Sequence, residues 1–124
     1  MNTLLSMTKA LADGGRLRVI GALFRIDSLC VCEIVELLGL SAPTVSRHMG
    51  VLQNAGLVQS SKEGQWVFYR LAETFPESLR LWLMEAMSDS DVPEKDLRIL
   101  EDIMNSDRGQ LCRQEKQSRA GESD

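Results

Sequence analysis

A tight turn between two short predicted helices constrains the fold of this chain more than any other feature. Apolar spacing predicts a helix over residues 33–38. Gly39 is expected to end it, because the residue that follows a helix often takes a left-handed backbone conformation, which glycine adopts without strain. Ser41 then provides a cap for a new helix, and Pro43 falls in its first turn, where the missing N–H costs nothing. This helix is expected to reach about residue 54. The segment therefore predicts a helix-turn-helix.

The chain changes character after this unit. Residues 57–62 and 65–71 are rich in strand-favouring side chains, and Glu63-Gly64 lies between them as turn residues, which predicts a β-hairpin. Two helices, at 4–12 and 16–25, are predicted before the unit, with Asp13-Gly14-Gly15 as the break between them. The order of elements predicts a mainly α fold with a β-hairpin, a winged helix-turn-helix. The alternative is an α+β domain that uses the same elements.

The remaining chain predicts two more helices and a tail. Pro76 opens a helix at about 77–88, and a polar linker separates it from another helix that runs from Pro93 to Met104. The last residues, from about 117, are expected to be disordered. We therefore divide the chain into a folded unit at 1–88 and a C-terminal helix with a flexible tail at 89–124.

Length and charge narrow the class of protein. A chain of 124 residues predicts one domain. No apolar run approaches the ~20 residues of a membrane span, so we expect no membrane partner. We also expect no signal peptide, and hence a cytoplasmic protein. The net charge of −4 is unusual for a nucleic-acid binder, but from residue 71 onward 13 acids stand against 7 bases. The middle of the chain is mildly basic, with Arg47, Lys62 and Arg70 against Glu63. A modest DNA-contacting surface is therefore possible there.

Two cysteines, Cys30 and Cys32, precede the helix-turn-helix. In an ideal helix residues two apart project about 200° from each other, so the pair can share an ion only across a helix end. We therefore expect Cys30 before the helix and Cys32 in its first turn, with Asp27-Ser28 as a turn and possible cap upstream. The positive end of the helix would favour thiolates. The alternative is two small buried apolar side chains.

Four segments follow one another in an informative order. They are Lys9-Ala10-Leu11-Ala12-Asp13-Gly14-Gly15-Arg16-Leu17; Leu29-Cys30-Val31-Cys32-Glu33-Ile34; Ser41-Ala42-Pro43-Thr44-Val45-Ser46-Arg47-His48 with Leu52, Ala55, Gly56 and Leu57; and Lys62-Glu63-Gly64-Gln65-Trp66-Val67-Phe68-Tyr69-Arg70-Leu71. Together they closely resemble the arsenic-repressor (ArsR/SmtB) family of bacterial metalloregulators, over residues 4 to 88. The resemblance implies a DNA-binding repressor without enzymatic activity or a catalytic cofactor.

The resemblance also implies an inducer, As(III) or Sb(III), which three sulfurs hold in a pyramid. Relatives with a cadmium or lead site add N-terminal cysteines, and zinc-binding relatives use His on the dimer helix; the chain has neither feature. Many arsenic sensors carry a third cysteine three residues after the pair, where this chain has Val35. Cys112 is the remaining thiol. It is a candidate third ligand, from the same or the partner chain, or else a thiol on a mobile tail.

The expected DNA contacts lie on the second helix of the unit and on the hairpin. They are Ser41, Thr44, Val45, Ser46, Arg47 and His48, with Lys62 and Gln65 at the hairpin. Hydroxyls and Arg donate to phosphates and base edges of an operator duplex, although the spacing of His48 also suits a partly buried structural role. An apolar stripe is implied to close a two-fold homodimer. Its members are Leu79, Trp82, Leu83 and Met87 with Leu4, Leu5 and Leu11.

Three functions remain open from the sequence. The first is a homodimeric repressor that As(III) or Sb(III) releases from its operator. The second is a regulator of the same fold that senses another soft metal or oxidation of Cys30 and Cys32. The third, a thiol enzyme, is the weakest, because the chain has no Cys-X-X-Cys motif and a helix and a turn separate His48 from the pair.

Overall fold

The structure is a computed structural model that describes residues 2–87 and 92–105. Within these residues the protein is mainly helical. The elements in chain order are α1 (Asn2–Leu11), α2 (Gly14–Arg25), β1 (Leu29–Cys30), α3 (Val31–Leu38), α4 (Ala42–Asn54), β2 (Val58–Glu63), β3 (Trp66–Leu71), α5 (Glu77–Ala86) and α6 (Glu94–Asn105). The mainly helical architecture with a small antiparallel sheet confirms the predicted winged helix-turn-helix.

The helix-turn-helix forms as its residues predict. Gly39 has a φ of 66°, and its N–H donates to the Val35 carbonyl at 2.8 Å, which ends α3. The Ser41 Oγ accepts from the Thr44 N–H at 3.4 Å and caps α4, with proline in the first turn. Left-handed backbone at Gly39 thus sets the angle at which α4 leaves α3.

The sheet has three strands in the order β1-β3-β2, not the two that the sequence predicts. Glu63 pairs with Trp66, so the loop between β2 and β3 is Gly64-Gln65, one residue later than the expected turn. The third strand is β1, in which Leu29 and Cys30 pair antiparallel with Tyr69 and Phe68. Two residues are too few to show a strand pattern, and long-range pairing alone defines β1.

Asp13-Gly14-Gly15 does not form a plain break between α1 and α2. Asp13 is the N-cap of α2, and its carboxylate accepts the Arg16 N–H at 3.0 Å, so both glycines lie in the first turn. This hydrogen bond is the main reason why the pKa of Asp13 lies below its usual value. A charged cap therefore overrides the poor helix propensity of the two glycines.

The core lies between the helices and one face of the sheet. Its fully buried members include Val19, Ile20, Leu29, Ile34, Leu37, Val45, Met49, Leu52 and Leu57. The helix α6 adds Leu100 and Ile103 to the core and packs against α3. The predicted disordered tail and Cys112 lie outside the described residues.

Candidate DNA interface and thiol site

One face of α4 presents short polar side chains and a guanidinium to solvent. Ser41, Ser46 and Arg47 are exposed and Thr44 is half-buried. The Thr44 Oγ1 lies 2.9 Å from the Ser41 Oγ and accepts from Arg47 Nη2 at 3.3 Å. These contacts hold the Arg47 guanidinium over the start of α4, where helix N–H groups and the Arg charge together favour phosphate.

Two residues that the sequence assigned to DNA contact face inward. Val45 is completely buried in the core, so its assignment as a DNA contact was wrong, and it anchors α4 instead. His48 is half-buried, and its Nδ1 lies 3.1 Å from Arg16 Nη1 on α2. The position of His48 therefore favours the alternative given above, a partly buried structural role, over contact with DNA.

Arg16 ties three helices together, which sequence reasoning missed. Its Nε donates to the Ala10 carbonyl at 2.7 Å on α1, while its Nη1 meets the His48 ring on α4. A guanidinium only donates, so the His48 Nδ1 accepts and its proton is on Nε2 in this arrangement. Arg16 belongs to the segment Lys9–Leu17, which carries part of the family resemblance, but the sequence does not show which groups this side chain contacts.

The hairpin adds polar groups beside α4. Lys62 and Gln65 are exposed at its end, as predicted. Gln53 Nε2 on α4 donates to the Ser60 Oγ on β2 at 3.3 Å, and this hydrogen bond joins the helix to the hairpin. Arg70, which the sequence left out of the site, is exposed on β3 and donates to the Ser61 Oγ at 3.3 Å.

The two cysteines lie across the start of α3, as the spacing predicts. Cys30 is the N-cap residue, with φ −83° and ψ 165°, and is buried; Cys32 is in the first turn and half-buried. The expected cap at Asp27-Ser28 was wrong, because the helix begins two residues later. The Glu33 carboxylate, which sequence reasoning missed, accepts the Cys30 N–H at 2.8 Å and fixes the backbone there.

The described residues supply two cysteine sulfurs but no complete metal cluster. No group of three or more His, Cys, Asp or Glu side chains able to hold an ion occurs within 2–87 and 92–105. Val35, half-buried on α3, has no donor atom. A three-sulfur site therefore needs a donor from outside these residues, and Cys112 is the remaining cysteine of the chain.

Apolar side chains of α1 and α5 form a second surface, which we call the α1/α5 face. Leu4 on α1 and Trp82 on α5 are 59% and 61% exposed, and Leu5, Leu81 and Met84 are exposed too. A groove of about 430 Å³ runs between the helices and is lined by Leu11, Leu79 and Trp82, among others. Leu83, in contrast, is buried in the core.

No helix in the described part of the chain is both long and apolar enough to span a bilayer.

Comparison with known sequences points to regulators. The family model described as "Bacterial regulatory protein, arsR family" matches residues 13–60. The chain is 44% identical over 69 residues to the arsenic resistance transcriptional regulator ArsR1 of Pseudomonas putida and 39% identical over 72 residues to the arsenical resistance operon repressor of Escherichia coli. These matches cover 56% and 58% of this chain but only 54% and 62% of those proteins. An uncharacterized HTH-type transcriptional regulator of Methanocaldococcus jannaschii is 40% identical over 65 residues, which cover 52% of this chain and 73% of that protein.

Solved structures show the same fold. HlyU from Vibrio cholerae is 30% identical, with a TM-score of 0.60, over 69% of this chain and 89% of that one. The homodimeric winged helix-turn-helix DNA-binding domain of a possible ArsR-family regulator from Mycobacterium bovis is 27% identical, also with a TM-score of 0.60, over 73% and 80% of the two chains. The relatives are transcriptional regulators and not enzymes. Matched motifs, fold and helix-turn-helix together show that this chain belongs to the arsR family of bacterial regulatory proteins.

Proposed function

We propose that this protein is a homodimeric transcriptional repressor that As(III) or Sb(III), bound by cysteine thiolates, releases from its operator. The observation that carries the proposal is the pair of cysteines at the start of α3, the helix that packs against α4. Two of the relatives are named for arsenic resistance, which agrees with such an inducer.

The exposed face of α4 is the proposed DNA-reading surface. Arg47, Ser46 and Ser41 donate to phosphates and base edges of the major groove, and Lys62 and Gln65 of the hairpin reach the neighbouring backbone. Because affinity then depends on phosphate neutralisation, operator binding should fall steeply as salt rises. Arg47→Ala should weaken binding by about 1–3 kcal/mol if the guanidinium reads a base.

In this proposal, an ion bound by the two cysteines moves α4. The backbone of Cys30 is held by strand pairing and by the hydrogen bond to Glu33. Cys32 lies in the first turn of α3 and moves with that helix. Drawing the two sulfurs and a third donor around one ion therefore reorients α3 against the sheet. Because α3 packs against α4, the reading face shifts with it. A coupling of about 1–3 kcal/mol is sufficient for release.

The α1/α5 face is the proposed dimer interface. Its exposed Leu and Trp side chains flank an apolar groove, and a two-fold axis would bury the same surface on both chains. The relative from Mycobacterium bovis is a homodimer, which agrees with this. A dimer presents two copies of α4 to an imperfect palindrome.

A titration of operator-bound protein tests the proposal. As(III), Sb(III), Cd(II), Zn(II) and peroxide are added in parallel, and DNA binding is followed by fluorescence anisotropy. We expect release by As(III) and Sb(III). Cys30→Ser and Cys32→Ser should each bind operator as the wild type does and resist As(III), and an As(III)-responsive double mutant would exclude these thiols as ligands.

The same titration decides between the proposal and its alternatives. Release by peroxide alone would indicate a redox sensor that uses Cys30 and Cys32, while release by Cd(II) or Zn(II) alone would indicate another soft-metal sensor. If neither the wild type nor any variant binds operator DNA, the repressor role itself is contradicted.

Cys112 is our proposed third ligand. Cys112→Ser should weaken the As(III) response without abolishing it, because two thiolates and a solvent ligand still hold the ion. X-ray absorption on the As(III) complex would count the sulfurs. Three sulfurs in the wild type and two in Cys112→Ser support the assignment, and an equal count in both proteins removes Cys112 from the site.

A further inference from the structure

The helix α6 lies against the helix-turn-helix and is held there by a buried ion pair. Asp96 in its first turn is 2% exposed. Arg18 on α2 grips both carboxylate oxygens: Nη2 donates to Oδ1 at 2.6 Å and Nε donates to Oδ2 at 2.8 Å. Two parallel charge-assisted hydrogen bonds fix the orientation of α6 as well as its position.

The same guanidinium also holds the end of α3. Arg18 Nη2 donates to the Leu37 carbonyl at 2.8 Å, and Leu37 is in the last turn of α3. A carbonyl in that turn has no partner within its own helix, so an outside donor stabilises it. Arg18 is therefore a bridge between α6 and the C-terminal end of α3.

The start of α6 also covers the turn that leads to α4. The Lys95 Nζ lies 3.8 Å from where a Cβ on Gly39 would be, so its ammonium is at the negative end of α3. Further along α6, Leu100 and Ile103 are buried in the core. The helix thus touches α3, the turn after it and the common core at once.

We propose that α6 is a clamp that holds α3 and the following turn in the DNA-binding arrangement, with Arg18 and Asp96 as its positioning residues. The inference rests on the proposed DNA-reading role of α4. Neither residue faces DNA, and both act through the angle between α3 and α4. Because a buried carboxylate without its cation is strongly unfavourable, α6 is either docked with the pair formed or released with Asp96 in water.

Substitution of Asp96 tests the clamp in the full-length protein. Asp96→Asn keeps the shape of the side chain and removes its charge, while Asp102→Asn makes the same change at an exposed position of α6 and is the matched control. Hydrogen exchange of the α6 amides reports docking, and anisotropy reports operator affinity. We expect faster exchange in α6 and an affinity loss of about 5- to 150-fold for Asp96→Asn, and neither for Asp102→Asn.

Two results would overturn the clamp. In the first, the α6 amides exchange faster but operator affinity equals that of the wild type, so α6 does not act on α4. In the second, exchange is unchanged, so the ion pair does not hold the helix. If Asp96→Asn fails to fold by circular dichroism, Leu100→Ala loosens α6 from its apolar side and is read in the same way. A wild-type protein that binds no operator contradicts the proposed function instead.

Discussion

Glu33 fixes the backbone at Cys30, the first of the two cysteines. It is 1% exposed, and its Oε1 accepts the Cys30 N–H at 2.8 Å. A carboxylate at the positive end of α3 is also favoured by the helix dipole. The geometry of the thiol pair thus depends on a side chain that is not itself a soft-metal ligand.

Replacing Glu33 should therefore disturb the thiols without removing either one. We expect Glu33→Ala to lower the free energy of unfolding by at least about 1 kcal/mol, since it orphans the Cys30 N–H, and to weaken As(III) binding. Glu33→Gln keeps an oxygen acceptor and should lie closer to the wild type. Chemical denaturation and As(III) titration provide the two measurements, and Glu36→Ala, exposed on the same helix, is the control. Equal As(III) affinity in Glu33→Ala would show that the thiols need no such support.

Asp13 gives the protein an acid-sensitive cap. Its pKa is lowered mainly by the Arg16 N–H, so the cap stabilises the fold above the unfolded-state pKa of about 4 and loses this contribution as pH falls through the lower folded pKa. We expect Asp13→Ala to cost about 0.5–2 kcal/mol near pH 7 and less near pH 2. Urea denaturation across this pH range measures the difference, and a cost that does not vary with pH would assign the effect to something other than the charge.

Which residues could be found from the sequence depended on how local their partners are. Ser41 and Gly39 were predictable, because a cap and a left-handed stop act within a few residues. The positions of Cys30 and Cys32 followed from helix geometry together with the expectation that the pair shares one ion. Arg16 was not predictable in its role, because its partner His48 lies 32 positions away.

At the scale of elements, the turn between α3 and α4 depends on backbone conformation more than on space. A Cβ on Gly39 would meet only the Lys95 Nζ, at an ordinary 3.8 Å, but φ is 66°. We expect Gly39→Ala to cost about 1–2 kcal/mol in unfolding free energy and to weaken operator binding. Thermal denaturation and anisotropy check this. Gly14→Ala, in open space and without a positive φ, is the control, and equal stability of the two variants would contradict the backbone argument.

The elements that the sequence predicted are those with their own periodic pattern. All the helices in the described ranges were expected, with ends within a few residues of the observed ones, as was the hairpin. The strand β1 was missed, because it exists only through pairing with β3. The burial of Asp96 was missed for a similar reason: an acid in a first turn normally faces water, and only Arg18, 78 positions away, explains it.

At the scale of the whole molecule, the α1/α5 face predicts a dimer that one side chain can disrupt. Trp82 is 61% exposed in the single chain, so Trp82→Ser should leave the fold intact while it weakens the dimer by about 2 kcal/mol or more, as for an interface hot spot. Sedimentation at several concentrations measures this. Met104→Ser, which changes a similarly exposed apolar residue on α6, should sediment as the wild type does. An unchanged dimer in Trp82→Ser would place the interface elsewhere.

The pairing of β1 with β3 has a consequence for the order in which the molecule assembles. Cys30 and Phe68 are partners although roughly 40 residues of chain, including all of α3 and α4, lie between them. Closing so long a loop costs conformational entropy that neighbouring contacts do not repay early in folding. We therefore expect β1 to join the sheet late, after the helices have formed. A newly made chain would then acquire the arrangement of Cys30 and Cys32 as one of its last steps, so the proposed response to an inducer would mature only with the finished fold.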